Sequence, residues 1–270
     1  MLYATLASLV DRMDTSTIRR AGVIQWGAPI PVFGDVATAR VATLGINPSN
    51  REFMDEGGDE LQGPSRRFHT LRSLNLESWE VIEAAHLRLI EESCRDYFQR
   101  APYDRWFRKI DTVVAGTGCS YYSTQQHACH LDLIPFATAK KWTELSSAQR
   151  SRLLHLSYDA LAVLLRDSSI EVLILNGRSV VEEFAAIAGV TLEVKRMPEW
   201  TLPRQGGEGV AGVAYHGILA RIGDIPLGRS VLVLGYNHNL QSSFGVTREV
   251  VHAIRAWIAS ATRIMTVVDT

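Results

Sequence analysis

Three polar segments interrupt otherwise apolar stretches of the chain, and they hold the side chains best equipped for chemistry. They are Gly45-Ile46-Asn47-Pro48-Ser49-Asn50, His130-Leu131-Asp132-Leu133-Ile134-Pro135 and Tyr236-Asn237-His238-Asn239-Leu240-Gln241-Ser242-Ser243. Asn47 can hold and orient a water but is a poor general base. His238 can donate a hydrogen bond to charge building on a departing group, whereas an ionised Asp132 can only accept. Such a set suits a hydrolysis assisted mainly by electrostatic stabilisation. Each residue also has a plainer role open to it. Asn-Pro commonly makes a turn, His238 can be a hydrogen-bonded structural histidine, and Asp132 can cap a turn or pair with an arginine.

The elements that must position these residues are short apolar runs at 41–44, 129–134, 172–175 and 231–234. Runs without alternation are typical of parallel strands covered on both faces. Helical patterns lie between and around them. Residues 146–166 carry a capping box in Ser146 and Gln149, and 247–259 place Val250, Val251, Ile254, Trp257 and Ile258 on one face behind an N-cap at Thr247. The sequence predicts an α/β fold, a three-layer α/β/α sandwich with a mainly parallel central sheet. Ligands of such sheets collect outside the carboxyl ends of the strands, where all three polar segments fall. Gly34-Asp35 suggests an antiparallel excursion feeding the first central strand, and 193–212, with two prolines and four glycines, reads as a long loop. One domain over 1–270, with an irregular insertion at about 75–123, is the simplest organisation.

Of the 270 residues 46% are apolar and 21% charged, with a formal net charge of -1, which excludes collagen-like and generally disordered chains. No apolar run reaches the roughly 18–20 residues of a membrane span, and Arg263 interrupts the C-terminal stretch. The N-terminal 1–10 is apolar without a basic leader and is expected as an amphipathic helix rather than a secretory signal. Three cysteines without a CxxC spacing argue against a disulfide framework and for a reducing, cytoplasmic location. Near-zero net charge disfavours nucleic-acid binding by bulk electrostatics but leaves room for a local basic face. No obligate protein partner is indicated.

Gly45-Ile46-Asn47-Pro48 after a buried strand, with a late strand ending in His238 before a polar loop and a helix, resembles the uracil-DNA glycosylase superfamily. Members carry a Gly-x-(Asp/Asn)-Pro motif and a His-Pro-Ser motif at strand ends, and Arg66-Arg67-Phe68 with Leu71 is similar to the stretch opening the first family helix. The resemblance implies that Asn47 positions the attacking water, as in the mismatch-specific branch, and that His238 stabilises the departing base. It also implies that Asp132 stands where a base-reading asparagine is usual. Asn239 departs from the usual proline.

The same residues support that chemistry without the family. Cleaving a C1′–N bond needs an oriented water, a donor for the leaving base, and a base extruded from the stack and held against an aromatic face. Phe53, with Phe68, is the expected face, and Ile46 and Pro48 border the same base site. A carboxylate at Asp132 suits the exocyclic amine of cytosine and repels the carbonyl of uracil. The expected substrate is therefore a modified cytosine in DNA, as on some phage genomes, with a role in defence against such phage. A uracil or mismatch repair glycosylase is the alternative, and a non-catalytic nucleic-acid binder of the same fold is another. DNA contacts are expected from Ser49, Arg66, Arg67, Asn239, Gln241, Ser242 and Ser243, with Leu240 or Phe244 as a wedge. Arg105, Arg108, Lys109, Lys140 and Lys141 add local basic spots. No metal or organic cofactor is implied. A zinc hydrolase built on Cys119, His127, Cys129 and His130 is disfavoured because strand neighbours point to opposite faces. The glycines at 206–212 lack the Gly-Lys-Ser/Thr ending of a phosphate loop.

Overall fold

Runs too apolar to leave either face wet fold as the inner strands of one sheet. The computed structural model describes residues 1–204, 207–241 and 245–268. In chain order the elements are α1 (Leu2–Met13), α2 (Ser16–Arg20), β1 (Val32–Phe33), β2 (Val41–Gly45), α3 (Ala84–Arg95), α4 (Asp104–Val114) and β3 (Ala128–Asp132). There follow α5 (Ser147–His155), α6 (Tyr158–Asp167), β4 (Val172–Asn176), α7 (Arg178–Ala188), β5 (Glu193–Arg204), β6 (Gly207–Ile222), β7 (Ile225–Tyr236) and α8 (Arg248–Val268). The fold is mixed α/β around a seven-stranded sheet of order β1-β3-β2-β4-β7-β6-β5. Strands β3, β2, β4 and β7 run parallel at its centre, while β1 and β6 run antiparallel to their neighbours. Every residue of β2, β3 and β4 is buried, so both faces of these strands are covered.

Register brings the carboxyl ends of the parallel strands level. Gly45 pairs with Asp132, Leu44 with Leu175, and Asn176 with Tyr236. The loops that follow β2, β3, β4 and β7 therefore leave from one edge, the usual place for ligands in such sheets. Helix α1 buries Leu2, Leu6, Leu9, Val10 and Met13, the stripe expected at the N-terminus, and its Arg12 holds Asp159 of α6 through two hydrogen bonds of 2.9 and 2.6 Å. Among the described residues no helix is long and apolar enough to cross a membrane.

Three expectations are corrected. The segment 193–212 is not a loop but most of the β5–β6 hairpin. Its prolines fit because β5 is the sheet's edge strand and its pairing slips in register between Met197 and Leu202 and again before Arg204, so that fewer backbone N–H groups are needed. Gly212 fits because a Cβ there would lie 2.3 Å from the Cβ of Trp200. Residues 75–123 are irregular only around two helices: α3 buries Leu87, Ile90 and Cys94, and α4 buries Phe107, Ile110, Val113 and Val114. The helix expected over 146–166 is two helices that meet at Leu156 and Ser157, where the Ser157 hydroxyl donates to the Leu153 carbonyl at 2.7 Å; the Ser146–Gln149 capping box forms. The excursion at Gly34 is antiparallel as expected: β1 leads into β2 and pairs antiparallel with β3, which itself runs parallel to β2.

Candidate functional site

Strand register alone gathers a polar cluster on one face of the sheet. His130 and Asp132 are two apart on β3 and so share a face. Their cross-strand partners on β2 are Thr43 and Gly45, and Phe33 of β1 lies opposite His130 on the other side. Thr43 Oγ1 is 2.6 Å from His130 Nδ1 and in close contact with the Tyr121 hydroxyl; His130 Nε2 lies 3.4 Å from Asp132 Oδ1. Both residues are almost completely buried. Gly45 is required here for space: a Cβ would sit 2.3 Å from Asp132 Oδ1 and 3.0 Å from His130 Nε2. Helix α4 closes the face with Trp106 and Phe107, whose rings lie 5.1 and 5.4 Å from that of His130.

The loop after β2 supplies the rest. After β2 ends at Gly45, Ser49 caps a single 3₁₀ turn, Asn50–Glu52, by accepting from the Arg51 N–H at 3.2 Å. That turn delivers Glu52 to a buried position, where the Tyr97 hydroxyl donates to Oε2 at 2.8 Å and is itself fixed by the Tyr103 N–H at 2.9 Å. Burial pushes the Glu52 carboxyl up to about 7, helped by the negative charge of Asp132 and opposed by Tyr97 and Arg67. Asn47 donates through Nδ2 to Thr138 Oγ1 at 3.0 Å and to the Pro48 carbonyl at 3.2 Å. Its Oδ1 has no hydrogen-bond donor among the described residues. Together these groups enclose a cavity of about 300 Å³, lined by Asn47, Glu52, His130 and Asp132 and walled by Ile46, Pro48, Ser49 and the rings of Phe33, Tyr103, Trp106 and Phe107. A second hollow of about 450 Å³ shares Asn47, Pro48, Ser49 and Arg51 with the first and is lined beyond them by Lys140, Lys141 and Trp142. Both lysines are exposed.

The cavity thus unites Ile46, Asn47, Pro48, Ser49 and Asp132, but not the remaining expected residues. His238 is buried two strands away from β2, roughly 10 Å across the sheet. Its Nε2–H donates to the Trp200 carbonyl at 2.7 Å, a group within the stretch where β5 slips out of register, and burial depresses its protonation. Phe53 and Phe68 are core rather than stacking faces: Phe53 packs edge-on against Trp26 and against Gly27, while Phe68 stacks on Tyr97 at 5.1 Å. Arg67 ties two loops together by donating to the Ala101 and Arg51 carbonyls, at 2.9 and 2.6 Å. Arg66 does not line the cavity. Leu240 is fully buried and cannot act as a wedge; its carbonyl accepts from Lys109 Nζ. Gln241 donates to the Trp106 carbonyl at 3.3 Å, and the exposed Asn239 accepts from the Gln241 N–H at 3.1 Å. Ser242, Ser243 and Phe244 lie outside the described residues.

Two cavity residues, His130 and Glu52, receive no part in base cleavage from the sequence alone. Beside Cys129, His127 and Cys119, His130 looks like a metal ligand, yet among the described residues no three ligating side chains gather for a metal. The better signal was its spacing of two from Asp132. Glu52 lies between Arg51 and Phe53 and looks like an ordinary surface charge; its burial depends on Tyr97, 45 positions away. The chain matches no protein-family model and no curated protein.

Proposed function

We propose that this protein is a monofunctional DNA glycosylase, a three-layer α/β/α sandwich of the uracil-DNA glycosylase type, that hydrolyses the N-glycosidic bond of a flipped pyrimidine. The observation that carries the proposal is the cavity at the carboxyl ends of β2 and β3, where Asn47 and Asp132 meet between aromatic rings. Its volume stands at the lower end of the roughly 300–1,000 Å³ typical of small-molecule sites, in keeping with a single flat heterocycle. In this account the free Oδ1 of Asn47 holds the water, oriented because Nδ2 is already anchored. Asp132 accepts from the exocyclic amine of the base, which selects a cytosine-type edge. The half-buried rings of Tyr103 and Trp106 take over the stacking expected of Phe53.

Normal cytosine cannot be the target in a cell's own DNA, so selectivity rests on a modification of the base, and defence against phage with modified DNA is the biological role proposed. Lys140 and Lys141, exposed beside the cavity, are the proposed contacts to strand phosphates. The test is mass-spectrometric detection of free base after incubation with DNA carrying uracil, mismatched thymine, cytosine, and hydroxymethylated or glucosylated cytosine. A modified cytosine released by the wild type and not by Asn47→Ala is the expected result. DNA binding with no base released from any substrate would reduce the protein to a nucleic-acid binder.

A further inference from the structure

We infer that His130, not His238, is the group that hydrogen-bonds the departing base, and that Thr43 and Tyr121 are positioning residues that fix its tautomer for the task. The inference rests on the glycosylase proposal and adds a residue to it. Tyr121 is buried, and burial holds its hydroxyl neutral at any usable pH. That hydroxyl must donate to something, and among the described residues its acceptor is Thr43 Oγ1. Thr43 has one hydrogen to give, and its other neighbour is His130 Nδ1 at 2.6 Å. The chain of donors therefore runs from Tyr121 to Thr43 to Nδ1, which leaves Nδ1 as an acceptor and puts the ring hydrogen on Nε2. Reversing the chain would leave the buried Tyr121 hydrogen without an acceptor.

A second observation gives the same answer independently. Nε2 lies 3.4 Å from Asp132 Oδ1, so a lone pair on Nε2 would face the lone pairs of a carboxylate in a buried site, whereas an N–H there is attracted. The cavity wall consequently presents a donor, His130 Nε2–H, beside an acceptor, the Asp132 carboxylate. Such a pair matches a base edge on which an acceptor adjoins a donor, as N3 adjoins the exocyclic amine in cytosine. In the reaction, water adds its oxygen to C1′, the C1′–N pair leaves with the base, and His130 stabilises the charge that spreads over the ring nitrogen. The proton lost by the water ends on the base, giving an abasic sugar and the neutral base. His238 cannot serve in this way, because its Nε2–H is held by the Trp200 carbonyl and its ring is outside the cavity.

The test combines ring ¹⁵N chemical shifts of the full-length protein with single-turnover base release from DNA carrying the substituted cytosines above. The shifts of His130 are expected to show a protonated Nε2 and a bare Nδ1 at neutral pH, and Thr43→Val is expected to lose that single-tautomer signature while Thr43→Ser keeps it. Release is expected to fall about 10²-fold in His130→Gln, the size of effect seen when one donor to a developing anion is removed, with DNA affinity little changed. It is expected to fall less in Thr43→Val and to be restored in Thr43→Ser. A protonated Nδ1 in the wild type, or release by the wild type that is undiminished in His130→Gln, would overturn the assignment alone. No release by the wild type from any of these DNAs would overturn the glycosylase proposal, and this role with it.

Discussion

The carboxyl ends of β2 and β3 and the carboxyl end of β7 stand at one level of the same sheet, and both carry a histidine beside polar loop residues, yet they are built differently. At β2 and β3 the strand register stacks Thr43, His130, Gly45 and Asp132 on one face, and the loop after β2 arches over them, so polar atoms face a cavity. At β7 the histidine is consumed by the fold. The edge hairpin slips in register around Trp200, and His238 supplies a donor to that carbonyl. A strand end becomes a site only where side chains are left over once the backbone's own hydrogen bonds have been satisfied.

The widest separation between the two ends should appear in activity. Asp132→Ala is expected to lower single-turnover base release by about 10²–10³-fold, the scale for removing one preorganised polar contact. His238→Ala is expected to leave release within a few-fold and instead to cost roughly 1–3 kcal/mol in denaturant unfolding, because the Trp200 carbonyl loses its donor. Equal losses of activity in the two variants would abolish the distinction.

The cavity end should also show itself in pH-dependent stability, through Glu52. Its carboxyl is held at about 7 against an ordinary value of 4.5, so the folded state binds this proton more tightly than the unfolded chain does. Its contribution is complete below about 4.5 and is lost as the pH rises through about 7, a change on the order of 3 kcal/mol. His69 works the other way: burial lowers it to about 4, so its contribution is present above its ordinary 6.5 and lost as the pH falls. Subtracting the urea melts of Glu52→Gln from those of the wild type between pH 5 and 8 isolates the first effect. The wild type should lose stability relative to the variant as pH rises, and parallel curves would show Glu52 to be solvated.

Smaller effects sharpen the comparison through glycines. Gly45→Ala forces a Cβ to 2.3 Å from Asp132 Oδ1 and is expected to cost about 1–3 kcal/mol together with most of the activity. Gly235 of β7 has looser surroundings, its nearest neighbour being Val181 Cγ2 at 3.1 Å, so Gly235→Ala should cost less and spare base release. The smallest change is expected for Phe53→Leu, which should lower stability by about 1 kcal/mol with unaltered release, since Phe53 packs against Gly27 and not into the cavity.

Much of the fold is legible in the sequence because strands buried on both faces leave an unbroken apolar signature, as at 41–44 and 172–175. The β5–β6 hairpin is not, because prolines and glycines that mark a loop in most contexts are equally at home on an irregular edge strand. For the site, Asn47 and Asp132 are legible as polar interruptions at strand ends. His130 is legible as polar but, beside Cys129 and His127 and before Asp132, suggests a metal ligand instead, and Glu52 is hidden because its burial is a tertiary event involving Tyr97. His238 misleads for the opposite reason. Nothing local reveals that the carbonyl it serves lies on another strand.

In the proposed function the cavity at β2 and β3 reads a cytosine-type base through Asp132. Base reading by Asp132 is tested by measuring free base released from matched DNAs carrying uracil or a modified cytosine by the wild type and by Asp132→Asn. The wild type is expected to release the modified cytosine and not uracil, and Asp132→Asn, which offers an N–H donor to a carbonyl, is expected to shift toward uracil. Release of uracil by the wild type, or an unchanged preference in Asp132→Asn, would contradict base reading by Asp132.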